Sequence, residues 1–300
     1  MTNALTILTT RWQDYLALCK PKIVALIVFT AFVGMLLSSP GAVSLQLMLI
    51  SALGIWLAAS SAAVVNQVVD QKIDSEMART RSRPLVRGNI SSQSAVLFAF
   101  VLGAASMLIL TFFVNVLTAV LTLFSLIGYG FIYSMYLKRA TPQNIVIGGI
   151  AGAAPPVLGW TAMSNSLDPQ SLLLFLIIFA WTPPHFWALA IYRRKDYAKV
   201  NVPMLPITHG VEFTRRYILL YTIVLFLVSL LPFITMMSGP VYLAGAVILG
   251  LVFLYHAIRM QLNHSDSLAI RMFSYSIIYL AALFSFLIMD HYMPYLVRMV

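Results

Sequence analysis

The densest group of polar side chains follows the second long apolar stretch, between Asn66 and Pro84. Asn66, Asp70 and Asp74 are four residues apart, so on a helix their side chains share one face. One amide oxygen and two carboxylates are hard ligands of the kind that Mg²⁺ combines with water and substrate phosphates. The spacing therefore predicts a magnesium site, with Asp70 and Asp74 as candidate catalytic residues.

Basic side chains accompany these acids. Arg79 and Arg83 are again four residues apart, and a guanidinium group binds phosphate oxygens through a bidentate fork. The alternative interpretation is a solvated helix end with ion pairs, such as Asp70 with Lys72. Three acids within seven residues repel one another unless cations compensate them, and the whole chain has only nine acids. This concentration favours a binding site for a diphosphate, with Lys72, Arg79 and Arg83 as its bases.

A second polar segment, Tyr192 to Pro206, follows the sixth apolar stretch. Its single acid, Asp196, is a third candidate catalytic residue and metal ligand, and Asn201 offers another oxygen. Lys195 and Tyr192 are candidates for diphosphate binding. A carboxylate on each side of a cavity, surrounded by bases, can hold a metal-bridged diphosphate and stabilise the charge that develops as it leaves.

The composition shows which elements must position these groups. Hydrophobic residues make up 61% of the 300 residues, charged residues only 9%, and the mean hydropathy is +0.90. Soluble domains carry about 25% charged residues, so the chain is not one. In lipid each backbone polar group must be satisfied within its own segment, which favours helices. We expect an all-α polytopic membrane protein with nine transmembrane helices around a central cavity open to the cytoplasm, near residues 23–39, 44–65, 95–114, 116–137, 144–163, 171–192, 217–237, 241–258 and 272–290.

The basic residues predict the orientation. When they are assigned to connections between the nine stretches, 18 of the 19 fall on one side, Arg11 and Lys138 among them. An excess of Lys and Arg marks cytoplasmic loops, so this side is expected to be cytoplasmic. The net charge of +10 thus needs no nucleic acid partner. We expect one domain over residues 1–300 in the inner membrane, with a cytoplasmic amino terminus, an exported carboxyl terminus and cytoplasmic motif loops 66–94 and 193–216. Lys138, in the fourth connection, joins the candidate diphosphate-binding bases.

His185 lies inside the sixth apolar stretch, beside Pro183 and Pro184. Two interpretations remain open for it. The imidazole could bond backbone groups that the prolines free, or it could contact a ligand, since an ionisable residue inside a membrane is a functional candidate. The single Cys19 excludes an internal disulfide and a thiolate cluster within one chain.

At these residues the chain resembles the UbiA-type intramembrane prenyltransferases. The shared strings are Asn66-x3-Asp70-x3-Asp74, followed by alternating arginines up to Pro84, and Tyr192-x2-Lys195-Asp196. The chain is most similar to the heme-modifying branch of that superfamily, on the strings 154–160, 181–190 and 196–206. In many members a second Asp stands four residues after the first in the second motif, whereas this chain has Val200 there, beside Asn201.

The resemblance implies a magnesium-dependent reaction in which farnesyl diphosphate prenylates the 2-vinyl group of heme B. Water addition then gives heme O and diphosphate. It makes heme the ligand that His185 could contact, and it makes a heme-modifying enzyme or a terminal oxidase a candidate to receive the product. One alternative keeps the fold but has a quinone precursor such as 4-hydroxybenzoate as acceptor. A second is a multi-span transporter, but transporters place their ionisable residues near the membrane midplane, whereas nearly all of them lie at one side here.

Overall fold

The computed structural model describes residues 12–39, 41 and 43–298 of the chain. Throughout this part of the chain the regular structure is helical. Eight helices are long and apolar enough to cross a membrane, and a pair bent by 54°, Trp12–Leu18 with Pro21–Leu37, supplies a ninth. The prediction of an all-α, multi-pass membrane protein is confirmed. Arg11, counted above among the cytoplasmic bases, lies outside the described residues.

We number the membrane helices in chain order. They are α1 Pro21–Leu37, α2 Leu45–Val69, α3 Ser92–Phe113, α4 Val116–Ala140, α5 Asn144–Ser164, α6 Pro169–Tyr192, α7 Val211–Ile234, α8 Pro240–Leu262 and α9 Asp266–Arg298. Shorter helices, among them Gln71–Glu76, Arg194–Lys199 and Leu205–Thr208, lie in the two motif segments. Each of the nine apolar stretches thus coincides with one helix.

The start of α7 differs from the expectation. Arg215 and Arg216, assigned above to the sixth loop, lie in the first turns of α7, and Arg215 is buried. Hydropathy alone cannot place this start because the first turns are charged. The helix is supported there by an ion pair four residues apart, Arg216 with Glu212 at 3.5 Å. Arg271 likewise lies on α9 rather than in the eighth loop.

Helices α1 and α5 approach more closely than side chains would allow. A Cβ atom built on Gly159 would lie 1.9 Å from the carbonyl oxygen of Ala31, and one on Gly34 would lie 2.0 Å from that of Pro156. Small residues permit such backbone contact between membrane helices. A break at Ala154 divides α5, and the half that begins with Pro155 packs on α1.

Helix α9 closes the bundle by lying beside the first membrane helix. This helix packs against α1, α6 and α8, so the last helix lies beside the first. His291 Nε2 donates to the carbonyl of Ser39 at 2.9 Å, just after α1. Both main hydrophobic partners of α9, the buried faces of α6 and α8, contribute to one continuous core.

Candidate active site

The acidic motif lies where α2 ends. The backbone N–H of Asp70 donates to the carbonyl of Asn66 at 3.0 Å, and that of Asp74 donates to Asp70 at 2.8 Å. Helical spacing therefore continues through the break at Asp70 into the short helix Gln71–Glu76. Asn66, Asp70 and Asp74 are each exposed by 5% or less. Two carboxylates and an amide are thus buried within two helical turns, which requires cations nearby.

Helix α4 supplies the first of these cations. Its segment Gly128–Leu137 follows a wide π-helical path, in which Ser134 Oγ donates to the carbonyl of Tyr129 at 2.8 Å. Ser134 Oγ in turn accepts a hydrogen bond from Asn66 Nδ2 at 3.0 Å. One turn further on, Lys138 Nζ lies 2.6 Å from Asp70 Oδ2. π-Helical turns often occur at functional sites, and this one brings α4 to the motif of α2.

Lys20 supplies a second cation from the start of α1. Its Nζ donates to Asn66 Oδ1 at 2.6 Å. The backbone of Lys20 has φ 50°, a left-handed conformation that is uncommon for a residue other than glycine. Gln67 fixes the same junction, since its Nε2 donates to the carbonyl of Leu18 at 2.7 Å. The bend before Pro21 therefore directs a lysine at the first residue of the motif.

Arg83 supplies the third cation, and it forms an ion pair with Asp74. The segment between them folds back because Thr80 Oγ1 donates to the backbone carbonyl of Asp74 at 3.0 Å. Arg79 and Lys72, the other predicted bases of this motif, are exposed. Of the three predicted bases after α2, the structure therefore brings one to the acids.

One carboxylate oxygen in the cluster lacks a partner. Asn66 Nδ2 and Lys138 Nζ both reach Asp70 Oδ2, whereas Asp70 Oδ1 is enclosed and has no hydrogen-bond partner among the described residues. An unpartnered buried anionic oxygen is costly unless a cation or proton meets it. The donors here, carboxylate and amide oxygens, suit Mg²⁺. In the described part of the chain, no three His, Cys, Asp or Glu side chains converge into a complete metal site.

The second motif forms the short helix Arg194–Lys199 directly after α6. Asp196 pairs with Arg193 at 3.6 Å and, among the described residues, contacts neither Asp70 nor Asp74. Tyr192, Lys195 and Asn201 are exposed. The structure thus leaves the second-motif candidates apart from the first-motif acids.

The two motifs nonetheless lie at the same end of the bundle. Burial raises the pKa of Tyr197, and the positive charge of Arg79, from the first motif, lowers it by a smaller amount. The side chain that follows Asp196 is therefore close to Arg79. The two motifs thus meet through Tyr197 and Arg79.

His185 occupies a separate, aromatic environment in the second half of α6, seven residues before the helix ends. Its Nδ1 lies 2.6 Å from Ser276 Oγ on α9, and its ring stacks on Trp181 at 4.1 Å between centroids. The interpretation that His185 bonds backbone freed by the prolines is wrong, because its hydrogen-bond partner is the Ser276 side chain. The neighbouring Thr182 Oγ1 donates to the carbonyl of Ile178, four residues earlier in α6, at 2.8 Å.

Three residues of these sites, Lys20, Ser134 and Ser276, are not among the candidates that the sequence offers. Lys20 is a base beside the first apolar stretch, and its sequence position indicates only orientation. The two serines carry no local signal, since they lie 68 and 91 residues from the side chains that they contact.

This chain is similar to known proteins of one family. The sequence model of the UbiA prenyltransferase family matches residues 27–286. A curated relative named protoheme IX farnesyltransferase, from Nitrosococcus oceani, is 57% identical over 285 residues, which is 95% of each chain.

Two solved structures share the fold. One, from work on digeranylgeranylglyceryl phosphate synthase, has a TM-score of 0.79 at 19% identity and covers 94% of this chain and 99% of its own. The other, a UbiA homologue from Archaeoglobus fulgidus bound to GPP and Mg²⁺, has a TM-score of 0.61 at 17% identity and covers 91% of this chain and 99% of its own.

Proposed function

The chain belongs to the UbiA prenyltransferase family, and from that premise we propose that it transfers the farnesyl group of farnesyl diphosphate to the 2-vinyl group of heme B. Water adds in the same reaction, and the products are heme O and diphosphate. The observation that carries this proposal is the 57% identity to protoheme IX farnesyltransferase over 95% of both chains. The buried acids and bases at the end of α2 suit the diphosphate half of the reaction.

The metal ligands would come first from the motif of α2. Asp70 offers the unpartnered Oδ1, Asp74 and Asn66 lie on the same face, and Asp196 with Asn201 would join from the second motif. Bound Mg²⁺ would neutralise diphosphate oxygens and so favour their departure. Support comes from the donor chemistry and from the relative that was solved with Mg²⁺.

The bases would exchange partners when substrate arrives. Lys138 and Arg83 now pair with Asp70 and Asp74, which keeps the buried carboxylates compensated. A diphosphate carries more negative charge than either carboxylate and would attract these cations. The acids would then be free to bind metal, while Lys138 and Arg83, with Arg79, Lys72, Lys195 and Tyr192 at the exposed margin, would bind phosphate oxygens.

The proposed reaction breaks one carbon–oxygen bond, forms one carbon–carbon bond and adds one water molecule. The bond between C1 of farnesyl and the diphosphate oxygen breaks, and its electron pair leaves with diphosphate. The vinyl π electrons form the new carbon–carbon bond, which leaves a cation beside the porphyrin. Water supplies a hydroxyl group to this cation and releases one proton. Apolar helix faces would exclude other water until the allylic cation has reacted.

The acceptor would lie within the bundle, where His185 would contact the heme. We further propose that the chain forms one domain in the inner membrane with both motif segments on the cytoplasmic side, as the distribution of bases suggests. Heme O would then pass to a heme-modifying enzyme or to an oxidase.

The proposal is tested with membranes that contain the overproduced protein. They are incubated with farnesyl diphosphate and either heme B or 4-hydroxybenzoate, with and without EDTA, and products are identified by mass. We expect heme B to gain the mass of farnesyl plus water, and EDTA to prevent this gain. Prenylated hydroxybenzoate without heme O would establish the quinone alternative instead, and substrate uptake without either product would establish transport.

A further inference from the structure

The imidazole of His185 is held rigidly between two helices. Trp181 stacks on its ring at 4.1 Å with an interplanar angle of 20°, and Phe273 of α9 stacks at 4.6 Å and 28°. Phe186 contacts it edge-on at 4.8 Å. The ring cannot rotate about its side-chain bonds without displacing these aromatic groups. Its two nitrogens therefore have fixed directions, one of them toward Ser276.

The contacts of Ser276 decide which nitrogen carries the proton. Ser276 Oγ lies 2.6 Å from His185 Nδ1 and 2.6 Å from the carbonyl oxygen of Phe273. A carbonyl oxygen can only accept and a hydroxyl has one proton to donate, so that proton must lie toward Phe273. Ser276 Oγ then accepts from His185, which places the ring proton on Nδ1. With the opposite tautomer, two oxygen lone pairs would face each other at 2.6 Å.

The position of Ser276 is itself fixed by α6. Trp181 Nε1 donates to the backbone carbonyl of Ser276 at 2.7 Å, so the residue that stacks on the imidazole also anchors its hydrogen-bond partner. With the proton on Nδ1, Nε2 keeps a lone pair. In the structure as described, no side chain or backbone group hydrogen-bonds to Nε2. Histidines that bind metals often show this arrangement, with the far nitrogen donating to a fixed oxygen.

We propose that Ser276 is a positioning residue that sets the tautomer of His185, so that Nε2 is ready to bind the iron of the heme acceptor. This inference rests on the proposed function, since it assumes that heme B enters the bundle. Axial binding by a clamped imidazole would fix the porphyrin in height and tilt, as a proximal histidine does in other heme proteins. This contact between His185 and the heme iron would not involve the farnesyl diphosphate site at the end of α2.

The test compares binding of two porphyrins to the purified full-length protein in detergent. Ferric heme B offers iron to Nε2, whereas metal-free protoporphyrin IX has the same ring and vinyl groups but nothing for Nε2 to bind. Each is titrated into wild type, H185A, S276A and S276T. Affinities are measured by fluorescence quenching, and iron ligation by absorption and electron paramagnetic resonance.

We expect wild type to show the spectrum of histidine-ligated heme, and H185A to lose it and regain it with added free imidazole. S276A should weaken heme binding by about 10- to 100-fold, as is usual when the partner of a metal-binding histidine is removed. Its affinity for protoporphyrin IX should stay within about twofold, and S276T, which keeps the hydroxyl, should behave as wild type. A merely structural role for Ser276 would weaken both porphyrins equally.

The outcome is separable from that of the proposed function, because binding is measured without farnesyl diphosphate. Histidine-ligated heme with the predicted effect of S276A, but without heme O formation, would uphold this inference and remove the proposed reaction. Heme O formation with equal heme spectra and affinities in wild type and S276A would overturn the inference and leave the reaction standing. A heme spectrum that H185A does not change would also overturn it.

Discussion

Lys138 Nζ lies 2.6 Å from Asp70 Oδ2, which joins the end of α4 to the end of α2 across 68 residues of sequence. The side chains are only 13% and 4% exposed. An ion pair at the surface contributes little, but removing one member of a buried pair leaves a charge without compensation. Lys138 therefore compensates the Asp70 carboxylate within the bundle. The same amine lies beside the oxygens that would bind metal and diphosphate.

Replacing Lys138 with Met should lower kcat/KM for farnesyl diphosphate by about 10- to 100-fold, the equivalent of one hydrogen bond to a charged group. Lys138→Arg should lose less of kcat/KM than Lys138→Met, because arginine keeps the positive charge but not the shape of lysine. Steady-state kinetics in membranes measure the effect. The matched control is R139M, since Arg139 is the next residue and is exposed. Equal losses in K138M and R139M would mean that only the general charge of this segment matters.

Asp70→Asn should abolish turnover while the protein stays in the membrane. The substitution keeps the size of the side chain but removes the charge of the oxygen that now has no partner, Oδ1. We expect a fall in kcat of at least about 100-fold, comparable with the loss of a group that stabilises developing charge. Product mass and the amount of membrane-bound protein are measured together. Asp168→Asn is the control, because Asp168 caps the start of α6 through Gln170 and Asn also caps well. Full activity of D70N would exclude the metal role.

The sequence predicted the architecture well because lipid imposes a simple rule, and each apolar stretch became a helix. It also predicted that Asn66 and Asp70 face each other, since helical spacing alone brings residues four apart together. It could not predict the compensation of these acids. Lys20 reaches Asn66 through a left-handed backbone, and Lys138 reaches Asp70 through a π-helical turn. Neither conformation has a local pattern, because contacts between distant segments stabilise both.

Helix starts with charges were missed for a related reason. Arg215 carries a charge that hydropathy assigns to a loop, yet the structure buries it in the first turns of α7. The position of the two motifs, each directly after an apolar stretch, likewise suggested that Asp196 would join Asp70 and Asp74. In the structure it pairs with Arg193, its neighbour one helical turn away. The spacing of residues along the sequence relates side chains on one helix, and it says little about the distance between side chains on two different helices.

Gly159→Ala should destabilise the bundle where α1 and α5 meet. The added methyl group would overlap the backbone carbonyl of Ala31, which cannot move aside as a flexible side chain would. Overpacking of this kind costs about 1–3 kcal/mol. Thermal unfolding of the purified protein in detergent measures it. Gly152→Ala on the same helix is the control, because outside its own turn of helix no described atom lies within 4 Å of the added group. Equal unfolding temperatures for the two variants would contradict the close contact.

Asp290→Ala should destabilise the end of the bundle that the proposed orientation places on the exported side. The carboxylate of Asp290, on α9, accepts backbone N–H groups of Gly239, Val241 and Tyr242 at the start of α8. Losing such a cap leaves buried donors unsatisfied, at a cost of about 1–3 kcal/mol. Asp290→Asn keeps one acceptor oxygen and should lose less. The unfolding temperatures should rank wild type, D290N, D290A, and turnover per folded molecule should be unchanged. A fall in turnover without a change in stability would assign Asp290 another role.

Asp196→Asn should raise the Mg²⁺ concentration that gives half-maximal activity and lower kcat by about tenfold or more, since a metal ligand is lost. Within the described part of the chain Asp196 pairs with Arg193 and not with the first-motif acids, so the proposed role requires the second-motif helix to move when substrate binds. Asp266→Asn is the matched control. Asp266, at the start of α9, pairs with Arg194 of the second-motif helix at 2.6 Å. Both side chains are about a third or more exposed, so breaking this pair costs about 1 kcal/mol or less. Magnesium titrations of both variants measure the difference. If D196N and D266N respond alike, Asp196 is an ion-pair partner only, and the acids at the end of α2 bind the metal without it.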